Sequence, residues 1–456
     1  MSKAISRRDF MKVTGVVGAA GLLAACGGNS SSTAASSSVA SAPAASADES
    51  LALSDGPVSM TISWWGGDSR HEAYQNAIKE FQAEHSNITI EPTFAAWSGW
   101  EEKMAAAFIA GNAQDVCQVN WNWLYNYSAD GSKFVDLNTV SNFLDLTQWD
   151  KAAMDACYVA NSQQCVPVSM TGRIFFWNMT TFNKAGITEV PTTWDAFLAD
   201  CEAIKANGIS PVYYSGVDTW TLQFFALMGW YSDYAPEDAQ AFADAMSTNQ
   251  KHWSDMNGFI DSIGKIKELV DLGYVQETYL SDTYQQAQQA LLDGTCAFYA
   301  QGDWVVGELE KIDADKTASS IGAFLIPLAD HLYCGVGVNK GFYVSKNGKN
   351  PELAQKVMEA LVSPEAQQAY FDAQSGIPIA NGVTADLKGP YADIKNILDT
   401  ADLSPQWTDF CKYSKGPLET YISEVLVGTK TPADVAAALD ADFAKAAIDA
   451  GDPNWN

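Results

Sequence analysis

The amino-acid sequence predicts an α/β fold with more than one core, on three observations. Between Val58 and Val119, strand-like and helix-like segments alternate. The body that follows a low-complexity N-terminal stretch is roughly 400 residues long, beyond the size at which one core usually keeps growing. The composition, 47% hydrophobic and 12% aromatic against 18% charged, suits a well-packed globular body.

The elements follow in order. Val58–Trp65 reads as a strand, and Glu72–Glu84 places Tyr74, Ala77, Ile78 and Phe81 at the spacing of one helix face. Ile88–Phe94 is a second strand, Trp100–Ala110 a second helix and Asp115–Val119 a third strand. A βαβαβ order predicts a parallel sheet with crossover helices, and ligands of such sheets bind beyond the carboxyl ends of the strands. Further on, Val166–Phe176 is an apolar-rich strand, and Thr193 in PTTWDAF reads as the N-cap of a helix whose Trp194 packs in the core.

The three strand ends share one feature. Trp64-Trp65-Gly66-Gly67-Asp68 closes the first strand, with Arg70 just beyond; Trp97 and Trp100 follow the second; Asn120, Trp121 and Trp123 follow the third. Neighbouring side chains of a strand face opposite sides, so Trp64 and Trp65 cannot both fill one core. A single such Trp is as readily explained by loops packing onto the sheet, but three loops that bring Trp to one edge point to a ligand. Flat apolar rings beside Asp, Asn and Arg suit sugars, whose C–H faces stack on aromatics while their hydroxyls need planar polar partners.

The N-terminus is an export segment. Ser6-Arg7-Arg8-Asp9-Phe10-Met11-Lys12 resembles a twin-arginine signal, and the uncharged run from Val13 to Ala25 is too short for a membrane span of roughly 20 residues. Leu23-Ala24-Ala25-Cys26 resembles a lipobox, which would leave residues 1–25 as the signal peptide and lipidated Cys26 as the mature N-terminus. Residues 26–56 are a Ser/Ala-rich tether lacking the apolar residues that offset ordering entropy, with a reach of roughly 30 Å. The protein is therefore expected at the outer face of the cytoplasmic membrane.

Charge and cysteine narrow the partners. The formal charge is −28, and removing residues 1–25, which carry four basic residues and one acidic, takes it to −31. Such acidity excludes nucleic acid as the expected partner. Seven cysteines remain after Cys26, none in a CxxC pair; Cys157 and Cys165 are near enough in sequence to bridge, or serve as small buried hydrophobes. The four histidines are scattered without metal-ligand spacing, so neither a metal nor another cofactor is expected.

At this point the residues resemble a known family. The stretch from WWGGDSRHEAYQ to CQVNWNWL is similar to the N-terminal segment of extracellular solute-binding proteins (family 1, maltose-binding-protein-like) of carbohydrate ABC transporters. VPVSMTGRIFFWNMTTFNKAG, GTCAFYAQGDWV and GVGVNKGFYVSKNGKNPELAQKVMEAL follow in the family's order, so the resemblance covers residues 57–456. It implies a two-lobe periplasmic-binding-protein-like fold (type II), each lobe a mainly parallel sheet flanked by helices, with the ligand cleft between lobes. Lobe 1 would be 57–170 and 329–376, and lobe 2 would be 172–327 and 378–456, with crossings near Ser169–Gly172, Ile326–Asp330 and Ile377–Ala380 acting as hinges.

The resemblance also extends the site. Arg173 would lie near the cleft, or form a surface ion pair; Asp303 and Trp304 match where the family offers a Trp from the second lobe, the alternative being a helix-start packing Trp. Of Trp220 and Trp230, which flank TLQFFALMG, one is expected at the cleft, and Trp220 is taken. Gly335 would permit close backbone approach on the returning strand. Trp407 is a weaker candidate that fits a core as well, and Trp455 at the chain end either frays or packs. The implied function is capture of a sugar or oligosaccharide by lobe closure and delivery to a permease, by a monomer with no enzymatic activity. Two alternatives are a same-fold receptor for a polyamine, peptide or ferric ion, the last through Tyr213 and Tyr214, and a cell-surface glycoside hydrolase using Asp68 and Asp303.

Overall fold

In a computed structural model, residues 56–96, 99–118, 132–140, 144–155, 157–159, 162–373 and 375–455 are described. The signal segment, Cys26 and the tether up to residue 55 lie outside them, as do Trp97, Asn120, Trp121 and Trp123.

The strands are β1 (Val58–Trp65), β2 (Ile88–Ala95), β3 (Val116–Cys117), β4 (Tyr158–Val159), β5 (Ser162–Gln163), β6 (Cys165–Asn178), β7 (Ser210–Val212), β8 (Cys296–Gly302), β9 (Ile321–Phe324), β10 (Tyr333–Val344), β11 (Ile377–Pro378) and β12 (Asp402–Pro405). β1 pairs in parallel with β2 on one side and β3 on the other, as the βαβαβ order predicts. Helices Asp68–Glu84 and Trp100–Ala110 make the two crossovers. The first begins four residues earlier than the apolar spacing indicates, because Gly67 serves as its N-cap and the polar residues that follow contribute to its first turn. Asp115 pins β3 to β1 by accepting from the Thr61 amide (2.9 Å) and hydroxyl (2.8 Å).

β6 and β10 tie the molecule together. β6 pairs antiparallel with β10 from Cys165 to Gly172, then antiparallel with β8 and β9 from Arg173 to Asn178. β10 pairs with β3 near Val344 and, at its other end, in parallel with β12. One continuous sheet thus carries two regions, β2-β1-β3-β10 and β8-β7, joined through the long β6. The joint lies where Gly172 hands over to Arg173.

Strand periodicity divides the core. On β6, Val166, Val168, Met170, Ile174 and Phe176 enter one apolar cluster and Phe175 enters another, as alternating side chains must. The first cluster takes Met60, Ile62 and Trp64 from β1. The second gathers Trp230, Trp253 and Trp407 around helices Phe224–Gly229 and Asn257–Asp271. A smaller third cluster holds Trp100, Met104, Phe134, Tyr343 and the cysteines Cys157 and Cys165.

Candidate functional site

The handover at Gly172 positions the site. Arg173, first residue of β6 beyond the joint, stands opposite Gly302 of β8, so the next two residues of that chain, Asp303 and Trp304, come alongside it. The Gly172 N–H donates to Asp303 Oδ1 (3.3 Å), and the Asp303 N–H donates back to the Gly172 carbonyl (3.3 Å). Asp303 is only 3% exposed, and burial pushes its carboxyl up to about 7, opposed by the charge of Arg173, the Gly172 N–H and the more distant Arg70.

Around that carboxyl lies an aromatic wall. The Arg173 guanidinium sits 5.3 Å from the centre of the Trp304 ring and 6.0 Å from that of Phe224. Trp304 and Phe224 lie 5.7 Å apart, Phe224 meets Trp220 at 6.0 Å, and Trp220 meets Tyr284 edge-on at 5.0 Å. Trp220 and Trp304 are only partly buried. The guanidinium is aimed by Gln406 Oε1 (3.1 Å) and Thr171 Oγ1 (3.4 Å), while its buried Nε has no partner among the described residues. Tyr231, 1% exposed, shares with Arg173 a cavity bordered by Leu325, Ile326, Leu328 and Tyr333. A guanidinium beside part-exposed rings can bond a polar, flat-faced ligand.

The first loop faces this wall. Gly66, at φ +152°, makes a turn beneath which the Arg70 side chain runs, and Arg70 donates to the Trp65 carbonyl (3.3 Å). Arg70 is near enough to Asp303 to pull its carboxyl down. Gly67 lies directly against the Glu308 carboxylate, where any Cβ would overlap it. Asp68 opens the following helix.

The expected residues therefore divide. Gly67, Arg70, Arg173, Asp303 and Trp304 gather about the joint between the two sheet regions, with Trp220 one ring farther along the wall, while the Trp65 ring packs beside Trp100 at 6.4 Å. Trp64 does not: it is fully buried, stacked on Phe94 at 5.1 Å with its indole N–H donating to His71 Nδ1 (3.0 Å), because its position on β1 shares the inward face of Met60 and Ile62. Trp100 is likewise removed from a cleft, 1% exposed with its indole donating to the Gln118 carbonyl (3.2 Å). Gly335 does allow a close approach, but to the Tyr231 ring, which fills the space a side chain would need. Trp407 is in the core, 0% exposed, and Trp455 packs with its indole donating to the Ser247 carbonyl (2.9 Å). Tyr213 and Tyr214 do not converge on a metal: Tyr213 donates to Asp282 (2.5 Å), and Tyr214 to the Ile266 carbonyl (3.4 Å).

Sequence reasoning passed over Phe224, Tyr231, Gln406 and Glu308. One signal was available for Glu308: it lies four residues after Trp304, on the same face of the helix Val305–Ser320. Gln406 carries no such mark, since only the pairing of β12 with β10 brings it to Arg173.

Comparison with known proteins identifies the family and the fold. Residues 67–368 match the family model of bacterial extracellular solute-binding proteins, and residues 4–24 match that of the twin-arginine translocation signal. The chain is 22% identical over 452 residues to the diacetylchitobiose binding protein of Streptomyces coelicolor, covering 96% of this chain and 98% of that one. It is 24% identical over 370 residues to the multiple sugar-binding protein of Streptococcus mutans, covering 78% and 84%. Among solved structures, a chitin oligosaccharide binding protein superposes with TM-score 0.73 at 21% identity, covering 86% of this chain and 99% of that one. A solute-binding protein in complex with raffinose superposes with TM-score 0.69 at 20% identity, covering 85% and 99%. The architecture is accordingly the two-lobe, type II arrangement.

Proposed function

Because the chain belongs to the bacterial extracellular solute-binding proteins, we propose that it captures an oligosaccharide between its two lobes and presents it to the permease of an ABC transporter. The observation that carries this reading is the pair of part-exposed rings Trp220 and Trp304, backed by the buried Phe224, with Arg173 and Asp303 at their foot. Ring faces supply apolar contact to the C–H face of a pyranose, and the guanidinium and carboxyl supply directed bonds to its hydroxyls. The named ligands of the relatives, diacetylchitobiose, chitin oligosaccharide and raffinose, support the same class.

The lobes are 57–170 with 329–376, and 172–327 with 378–456; the crossings near Ser169–Gly172, Ile326–Asp330 and Ile377–Ala380 bend between them. A ligand bridging Trp65 and Arg70 on one lobe and Trp304 and Arg173 on the other favours the closed form through contacts made to both at once. The ligand is released unchanged, and the protein acts as a monomer. The twin-arginine signal directs export, and Cys26, lipidated at the end of the tether, holds the binding body at the outer face of the membrane. Among the described residues no helix is long and apolar enough to cross a membrane.

Tryptophan fluorescence and thermal melting against mono- and oligosaccharides, with spermidine and ferric ion as controls, test the ligand class. A sugar at a hundredfold excess over its Kd should stabilise the protein by about 2.7 kcal/mol and be recovered intact by chromatography. Response to spermidine or iron alone would overturn the sugar reading, and appearance of reducing ends would overturn the non-enzymatic one. For the anchor, Cys26→Ala should move the protein from the membrane fraction to the soluble one.

A further inference from the structure

We propose that Glu308 is a clasp that sets the balance between open and closed lobes; the inference rests on the two-lobe closure proposed above. Glu308 lies in the first turn of helix Val305–Ser320, immediately after the aromatic wall. Its carboxylate stands against the backbone of Gly67, the N-cap of helix Asp68–Glu84. That N-cap makes no side-chain capping bond, so the end of the helix is left with amide N–H groups that favour a negative charge. Glu308 brings that charge from the opposite lobe.

Two further features single out this contact. Gly67 has φ −89°, a conformation open to any residue, so the absence of a side chain there is explained by the carboxylate rather than by backbone strain. One turn further along both helices, Lys311 of the second pairs with Glu72 of the first at 3.1 Å. The two helices thus meet in register, with an acid on a helix end followed by an ion pair. Lys311 is 33% exposed and Glu72 65%, so solvent screens that pair, and the Gly67 contact is the stronger part of the clasp.

The consequence is a closed state held partly without ligand. Contacts between lobes that exist only on closure raise the population of the binding-competent form, and apparent affinity rises in proportion. Removing them leaves the direct ligand contacts intact but lowers the competent fraction.

The test is small-angle scattering of the full chain, unliganded and with the tightest-binding sugar of the panel, for wild type, Glu308→Ala, Glu308→Gln and Gly67→Ala. The clasp predicts a larger unliganded radius of gyration for all three, with sugar Kd weakened about five- to tenfold in Glu308→Ala and less in Glu308→Gln. Gly67→Ala tests the same contact from the other side, because an added methyl must displace the carboxylate. Wild-type radius and wild-type affinity in both alanine variants would overturn the proposal. A shifted radius in a protein that binds no sugar would leave the clasp standing and remove the sugar reading instead.

Discussion

Two pairs of tryptophans, one on each side of the joint, have opposite employments. Around the first strand ends, Trp64 and Trp100 are sealed beneath the sheet edge, each with its indole N–H satisfied by a protein acceptor. Across the joint, Trp220 and Trp304 remain part-exposed, Trp220 edge-on to Phe224 and Trp304 tilted against it beneath the Arg173 guanidinium. The first pair stabilises a lobe, and the second offers a surface. Residue type and proximity to a strand end are therefore insufficient to assign a Trp to a ligand; the face of the element it occupies, and hence its burial, decides.

Substitutions sharpen the contrast. The largest effect expected is from Trp64→Ala, which should lower unfolding free energy by about 3–5 kcal/mol in urea melts while leaving sugar affinity of the folded fraction near wild type. Comparable affinity losses in Trp64→Ala and Trp304→Ala would erase the distinction between the two regions.

A pH effect of a few kcal/mol at most is expected from Asp303. Its folded pKa, about 7, lies above the ordinary carboxyl value of 3.8, so between those values the folded state holds the proton that the unfolded chain releases. Its contribution to stability is therefore fully present below about pH 4, declines as pH rises toward 7 and is flat above. Asp303→Asn removes that slope. The urea midpoint of the variant relative to wild type should rise between pH 5 and 8, and a constant difference would show that the carboxyl does not titrate there.

Trp304→Ala should weaken sugar binding by about 10- to 100-fold, or ~1.4–3 kcal/mol, with a smaller change in melting temperature, as titration calorimetry and thermal scans would show. The smallest change is expected of Arg173→Lys, which keeps the charge but loses the planar fork held by Gln406 and Thr171 and the stacking on Trp304. Affinity should fall roughly three- to tenfold, about 1 kcal/mol. An unchanged affinity would place Arg173 among the structural residues with Trp64.

Much of this was legible from the sequence. β1 and helix Trp100–Ala110 appear with the limits their patterns indicate, and β2 differs by one residue. Local pattern suffices there because period-2 and period-3.6 apolar spacing is fixed by backbone geometry alone. β3 is shorter than Asp115–Val119, since only Val116 and Cys117 lie between paired neighbours among the described residues. β6 extends beyond Val166–Phe176 to Asn178, whose side chain then caps the next helix by accepting from Thr180 and Thr181.

By itself the sequence determined the α/β class, the export signal, the first crossovers and the family blocks, because each depends on residues close together in the chain. It also showed that Trp64 and Trp65 must part company, since alternation on a strand leaves no other choice. Which one entered the core was a tertiary decision: Trp64 follows Met60 and Ile62 into the space that Phe94, His71 and Tyr74 enclose. Tertiary structure alone likewise brought Gln406 to Arg173 across 233 residues, set Tyr231 against Gly335 and lodged Glu308 on Gly67. Those contacts join segments far apart in the chain, and their geometry exists only once β6 and β10 have paired at the centre of the one continuous sheet.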